Sequence, residues 1–192
     1  MTRLLCLASS VMSLGVAACA ATPPSASAPT RSGAATNSQA AAPSPTALGA
    51  EWASLRALVG VWSGTGGDAA HPSRGGFTIA PDLGGKLLVR RGTNDTATAH
   101  HEDLTIIYHG ADGGLQASYF DNEGHAFHYA IAPSADGRSI VFVSDEVTGM
   151  PRFRLTYAVI SDDTLAIAFD IAPPGSTQFQ TYVKGNVHRT RS

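Results

Sequence analysis

The chain has almost no sulfur chemistry. Its 192 residues include two cysteines, Cys6 and Cys19, both in the first nineteen positions. From Ala20 onward there is no thiol, which excludes a disulfide, a cysteine-ligated metal and a cysteine nucleophile from that part. Charge is also sparse, with 15% charged residues and a net charge of −2. No basic face stands out, so nucleic acid is not expected as a partner. A Gly-x-Ser-x-Gly elbow is missing. Gly64-x-Gly66-Gly67 is followed by no Lys-Ser/Thr pair, so it is not read as a phosphate loop. Between the predicted strands no run is long enough for a crossover helix.

What is present begins with an export pattern. Arg3 is a short positive start, and Leu4 to Ala18 is an apolar run too short to span a bilayer. It ends in Val16-Ala17-Ala18-Cys19. Small residues directly before a cysteine resemble the lipobox of bacterial lipoproteins, which implies that Cys19 is lipidated and that residues 1–19 are a signal segment. Acyl chains, not protein charge, would then hold the chain to a membrane. Ala20 follows Cys19 without the Asp that resembles an inner-membrane retention signal. The expected location is therefore the outer membrane, facing the periplasm.

Residues 20–48 are rich in Ala, Ser, Thr and Pro with one charge, Arg31. They lack the large apolar side chains that would offset the entropy of ordering, so they read as a disordered tether. As a flexible coil this spans on the order of 30 Å. The remaining 49–192, about 140 residues, suits one domain with one core.

That domain opens with a short helix in GAEWASLRALVG, where Trp52, Leu55 and Leu58 recur on one face. Thereafter about ten short strands alternate with turn residues. They centre on Trp62, Phe77, Val89, Ile106, Ser118, His128, Phe142, Leu155, Ile167 and Val183, the last running from Thr177 up to Arg189. Turn chemistry such as Asp-Asn-Glu-Gly joins them. The expectation is an all-β, up-and-down antiparallel β-barrel of about ten strands, since closure removes exposed edges.

The residues Leu55-x-x-Leu58-x-Gly60-x-Trp62-x-Gly64 resemble the first strand of calycin barrels: the lipocalins, the fatty-acid-binding proteins and the nitrobindin-like heme-binding barrels. The resemblance implies that Trp62 packs beneath an arginine of the last strand, Arg189 or alternatively Arg191, and closes one end. The helix before the first strand is similar to the nitrobindin-like members. A heme site of that kind needs an inward histidine near the C-terminal strands. His188 cannot supply it if its neighbour Arg189 points in. The runs Gly84–Arg91 and Tyr119–His125 are also similar to a group of bacterial barrel proteins with no established activity.

Period-two alternation assigns faces. Phe153, Leu155, Tyr157 and Val159 share one face, and Leu165, Ile167, Phe169 and Ile171 another. Leu104, Ile106 and Tyr108 oppose Asp103, Thr105 and His109. Placing the apolar faces inside yields an interior lined by Tyr108, Tyr119, Phe127, Tyr129, Phe153, Tyr157, Phe169 and Phe179. Of the adjacent Arg90 and Arg91 only one can face inward. Both are expected to reach solvent, because long side chains snorkel. The His100-His101-Glu102-Asp103 run lacks helical metal-site spacing and reads as a solvated loop.

In YFDNEGHAFHY, Asp121-Asn122-Glu123-Gly124 fits a type I turn closed by a left-handed glycine. Asp121 then stands across from His125, Tyr119 from Phe127, and Ala117 from Tyr129. His125 and His128 point to opposite faces and cannot chelate one metal.

Three functions follow. The first is non-covalent binding of a small hydrophobic molecule inside the barrel, with no resident cofactor and heme as a variant. The second is an enzyme at the mouth, with His125 as acid/base and Asp121 as its orienter. The third is a filled barrel that serves as an interaction module. For the export reading, Cys19→Ser is expected to abolish incorporation of labelled palmitate and to move the protein from the membrane to the soluble fraction.

Overall fold

A computed structural model describes residues 48–67 and 72–191. The expected signal segment with Cys19, and the tether up to residue 47, lie outside the described residues. Leu48, expected as the last tether residue, is already 6% exposed, and its carbonyl accepts from Arg56 Nη2. Packing therefore starts one residue before the expected boundary.

A 3-10 helix, Ala50–Leu58, comes first. Trp52, Leu55 and Leu58 are three apart, which is the period of a 3-10 helix, and all three are 0% exposed. Ten strands follow: β1 (Gly60–Gly67), β2 (Pro72–Asp82), β3 (Leu87–Thr96), β4 (His100–His109), β5 (Leu115–Asp121), β6 (Ala126–Pro133), β7 (Ser139–Ser144), β8 (Arg152–Ser161), β9 (Thr164–Ala172) and β10 (Gln180–Arg189). Each pairs antiparallel with its sequence neighbour, and β1 pairs with β10, so the sheet closes into an up-and-down barrel.

The two ends differ. At the lower end the 3-10 helix plugs the barrel with Trp52, Leu55, Leu58 and Val59, beneath Trp62, Ile79, Leu88, Ile107 and Leu165. Arg189 fastens this plug. Its Nη1 donates to the Val59 carbonyl at 2.7 Å, its Nη2 to Ala57 at 3.0 Å, and its Nε to Asp162 at 2.9 Å. Its guanidinium lies 4.2 Å from the Trp62 ring centroid, and Trp62 Nε1 donates to the Leu58 carbonyl at 2.8 Å. The carbonyls at a helix C-terminus lack partners of their own, and a cation there meets both the hydrogen-bond and the dipole requirement. Arg191 is an outer contact of Asp163. Gly60 stands under this fork with φ +139°, and a Cβ there would lie 2.2 Å from Arg189 Nη1, so both conformation and space require glycine.

At the upper end the wall thins. β1 meets β10 through Trp62↔Arg189 and Ser63↔His188. Gln180 to Asn186 are exposed at consecutive positions. Consecutive residues of a strand face opposite sides, so this stretch has solvent on the lumen side as well as outside.

One expected face is reversed. In β4 the inward residues are Asp103, Thr105 and Ile107, and Leu104, Ile106 and Tyr108 lie on the outer wall. The register fixes this, with Leu88 opposite Ile107 and Arg90 opposite Thr105. Thr105 and Ile107 are 4% and 1% exposed. Both faces of this strand carry an isoleucine, so alternation by itself did not choose between them.

Replacing Arg189 by Met should remove three charged hydrogen bonds and lower unfolding free energy by about 3 kcal/mol in urea denaturation. Arg189→Lys keeps the charge but not the fork and should fall between.

Candidate ligand site

The inward side chains of the upper half fall into three sectors. The first is aromatic. Tyr119 (β5) stacks on Phe127 (β6) at 4.6 Å between centroids and 18° between planes. Phe127 stacks on Phe153 (β8) at 5.0 Å and 28°, and Phe153 on Phe169 (β9) at 5.8 Å and 12°. Phe127 reaches Phe153 across β7 because the inward residue there is small: Ser144, whose Oγ accepts from the Phe153 amide at 2.9 Å. Centroids this close with near-parallel planes put the rings face against face. The row therefore turns ring edges to the lumen. All four rings are half-buried although they point inward.

The second sector is rich in glycine. By strand parity, inward positions on β10, β1, β2 and β3 include Gly185, Gly64, Gly66, Gly75 and Gly92, with Val183, Ser73 and Asn94 between them. A Cβ on Gly185 would find open space. This glycine-rich wall stands across the barrel from the aromatic row.

The third sector, on β3 and β4, is polar. Arg90 points inward and pairs with Asp103; their side chains are 15% and 8% exposed. The guanidinium sits 4.8 Å from the Phe77 ring centroid. Burial opposes the charge on Arg90, but the Asp103 carboxylate outweighs it and holds the group protonated. Arg90 Nε and the Tyr157 hydroxyl are buried without a hydrogen-bond partner among the described residues. The arginine expected to reach solvent is thus an interior residue. Its anion is Asp103, which the reversed face of β4 brings inside. A Cβ on Gly92 would lie 2.3 Å from Asp103 Oδ2, so that glycine leaves room for the pair.

A hydrogen-bonded chain runs along the rim beside this pair. Glu123 Oε1 lies 3.0 Å from His101 Nδ1, and His101 Nε2 lies 3.2 Å from the Tyr119 hydroxyl. That hydroxyl donates to Asp121 Oδ2 at 3.2 Å, which lies 2.8 Å from His125 Nδ1. Asp121 Oδ1 accepts from the amides of Glu123 and His125 at 3.0 and 2.9 Å. Gly124 has φ +90°. Tyr119 is opposite Phe127, and Ala117 opposite Tyr129. Burial would raise the Asp121 pKa, but the His125 amide, the His125 ring and the Glu123 amide outweigh it and hold the carboxyl below its ordinary 3.8. Asp121 is 4% exposed and His125 60%. The pair clasps a turn, with His125 facing solvent.

Burial raises the pKa values of Tyr119, Tyr129 and Tyr157. At neutral pH all three phenols keep their protons and can donate.

Six of the eight aromatic residues expected inside are inside. Tyr129 and Tyr157, 3% and 0% exposed, form the packed floor, and Tyr119, Phe127, Phe153 and Phe169 form the wall above it. Tyr108 is on the outer face, with its hydroxyl 3.5 Å from Ser118 Oγ. Phe179 is also outside. It lies 4.5 Å from Arg154, which pairs with buried Asp170 at 2.9 Å. Phe179 precedes β10 in a connecting loop, where strand parity does not apply, and the exposed guanidinium face draws it outward. His100 and His101, expected in a loop, are strand residues of β4. His188 is on the outer wall, 3.3 Å from Thr164 Oγ1. His101 has both ring nitrogens engaged, so neither it nor His188 offers a free nitrogen to an axial site in the lumen.

Two shallow grooves of 230 and 150 Å³ lie on the outer wall. One is bordered by Tyr108, Gln116 and His128, the other by Thr78, Val89 and Arg91.

No family model matches the chain, and no curated protein matches it. The solved crystal structure of Rv2717c from M. tuberculosis is similar in fold, with a TM-score of 0.53 and 13% identity. The match covers 75% of this chain and 99% of that one. At this identity the likeness concerns the barrel fold.

A carboxyl held below its ordinary pKa stabilises the folded state above that ordinary value and loses the effect as pH falls through the lower, folded value. Asp121→Asn should therefore lower stability by about 1 kcal/mol at neutral pH. The two stability curves should converge once the pH is well below 3.8.

Proposed function

We propose that the barrel binds a small hydrophobic molecule non-covalently in its upper lumen. One observation carries this reading: four inward aromatic rings keep partial exposure at the upper end, across from a glycine-rich wall. Ligand pockets are mostly apolar with a few placed polar groups, and the Arg90–Asp103 pair with the tyrosine hydroxyls supplies those. In this reading the chain is exported and lipidated at Cys19, and the tether lets the barrel sample the periplasm near the outer membrane. Heme is not part of the reading, because His188 faces outward and His101 has no free ring nitrogen. Nor is acid/base catalysis, because Asp121 is occupied by the turn amides.

N-phenyl-1-naphthylamine, a neutral probe that fluoresces in apolar surroundings, should bind the full chain saturably. Phe153→Ala should weaken it by about tenfold, the loss expected on removing one aromatic contact worth about 1.4 kcal/mol. Gly185→Leu projects a side chain into open space and should leave folding intact. The same variant should abolish saturable probe binding by filling the lumen. Failure of the probe to bind the wild type would leave the filled-barrel interaction module in place. Binding that Gly185→Leu does not disturb would move the site to the outer wall.

A further inference from the structure

We infer that one lip of the upper end, residues 145–151 between β7 and β8 together with the start of β10, is a docking surface for a phospholipid bilayer. The inference extends the reading of a chain anchored at Cys19 and adds which end of the barrel meets the lipid.

Exposure argues first. Among the described residues seven large apolar side chains are exposed. Four of them, Val147, Met150, Tyr182 and Val183, stand on this lip, each more than half exposed. The strands that carry them follow one another around the barrel as β7, β8, β9 and β10, so the four share one arc of the rim. The Tyr182 ring lies 6.4 Å from Phe169, at the end of the aromatic row. Single exposed apolar residues are ordinary, and a clustered set is the informative observation. The lower end shows the contrast. Leu83 and Ile160 are exposed there, but one follows β2 and the other ends β8, strands that are not neighbours.

Charge argues second. On the lip Arg152, Arg154 and Lys184 balance Asp145, Glu146 and Asp170. Arg154 holds Asp170 at 2.9 Å, and Arg152 lies 4.0 Å from Glu146. The opposite arc carries Asp95, Glu102, Asp121 and Glu123 against Arg74, with His100, His101 and His125 among them. Arg90 and Asp103 cancel there. That arc stays acidic at neutral pH even with His100 charged. An anionic lipid surface repels it and not the lip. The arginine and lysine stems can lie along the apolar side chains while their heads reach phosphates. Tyrosine suits the boundary between acyl chains and headgroups.

Chain length argues third. The described part begins at Leu48, beside the plug at the lower end. Residues 20–47, taken as a flexible coil, reach on the order of 30 Å. Strands of ten residues such as β3, tilted by about 40°, make a barrel on the order of 25 Å tall. A segment of that reach lets the upper end turn to the bilayer that holds Cys19.

Quenching by brominated lipid reads contact with the acyl region. Trp52 and Trp62 are fully buried and give a constant, unquenched background. Full chains carrying Tyr182→Trp, Met150→Trp or Leu83→Trp, all at exposed positions, are mixed with vesicles of phosphatidylethanolamine and phosphatidylglycerol, with and without brominated acyl chains. The two lip tryptophans should lose at least half of their added emission, and the one at Leu83 none. Adding Val147→Ser and Val183→Ser to Tyr182→Trp should restore most of the loss. Flotation with the vesicles reports separately on the anchor. Lip quenching without flotation supports the docking surface and removes the anchor. Flotation without lip quenching overturns the inference and leaves the anchor at Cys19 standing. Quenching at Leu83→Trp in place of the lip overturns it and puts the floor against the membrane. A blue shift of the lip tryptophans without lipid that grows with protein concentration identifies a second copy as the occupant and overturns it as well. Absence of both flotation and quenching removes both readings.

Discussion

The guanidinium of Arg189 ties the last strand to the segment that precedes the first. A ten-strand sheet can pair every internal strand through local hairpins, but closure joins residues more than a hundred positions apart. Arg189 makes that join worthwhile. It offers the 3-10 helix carbonyls the donors that they lack, and its flat face covers Trp62. Because the fork lies at one end, the barrel has a sealed floor and an unsealed rim. The pairing of β1 with β10 is short, and the upper part of β10 has solvent on both faces. The upper end that we propose as a binding site lies away from this closing contact.

Above the floor, the costliest feature is an ion pair inside an apolar barrel. Desolvating two charges is tolerated only when each has the other. Arg90 and Asp103 satisfy that condition from adjacent strands, with Gly92 making room. A filled hydrophobic barrel would gain nothing from such a pair, and two isosteric apolar residues would hold the floor at least as well.

The hairpin from Tyr119 to Tyr129 was legible in sequence to the level of register. Its turn is set by four adjacent residues, and one left-handed glycine decides the loop length and hence every cross-strand partner. The helix face of Trp52, Leu55 and Leu58 was legible for the same local reason. β4 was not. Leu104, Ile106 and Tyr108 form a clean apolar stripe, yet that stripe is the outer one. Ile107 on the other face is needed against Leu88, and Asp103 is needed against Arg90. Misassigning this one strand concealed the interior charge pair, because Arg90 then lacked an anion to justify an inward position. Phe179 was misassigned because it lies outside the strand whose parity was extended to it.

The sequence by itself determined an antiparallel meander of about ten strands, a short helix with Trp52, Leu55 and Leu58 on one face, and the turn clasp of Asp121 with His125. Each of these depends on residues near one another in the chain. The partners of the closing contact, Trp62 with Arg189 or alternatively Arg191, came from the resemblance to calycin barrels, and the structure selected Arg189. Only the tertiary structure decided which face of β4 looks inward, that Arg90 and Asp103 meet, and that four rings from four strands line up across from glycines of the other wall. Those arrangements depend on which strand lies beside or opposite which once the barrel has closed. Alternation along a single strand contains no information about that.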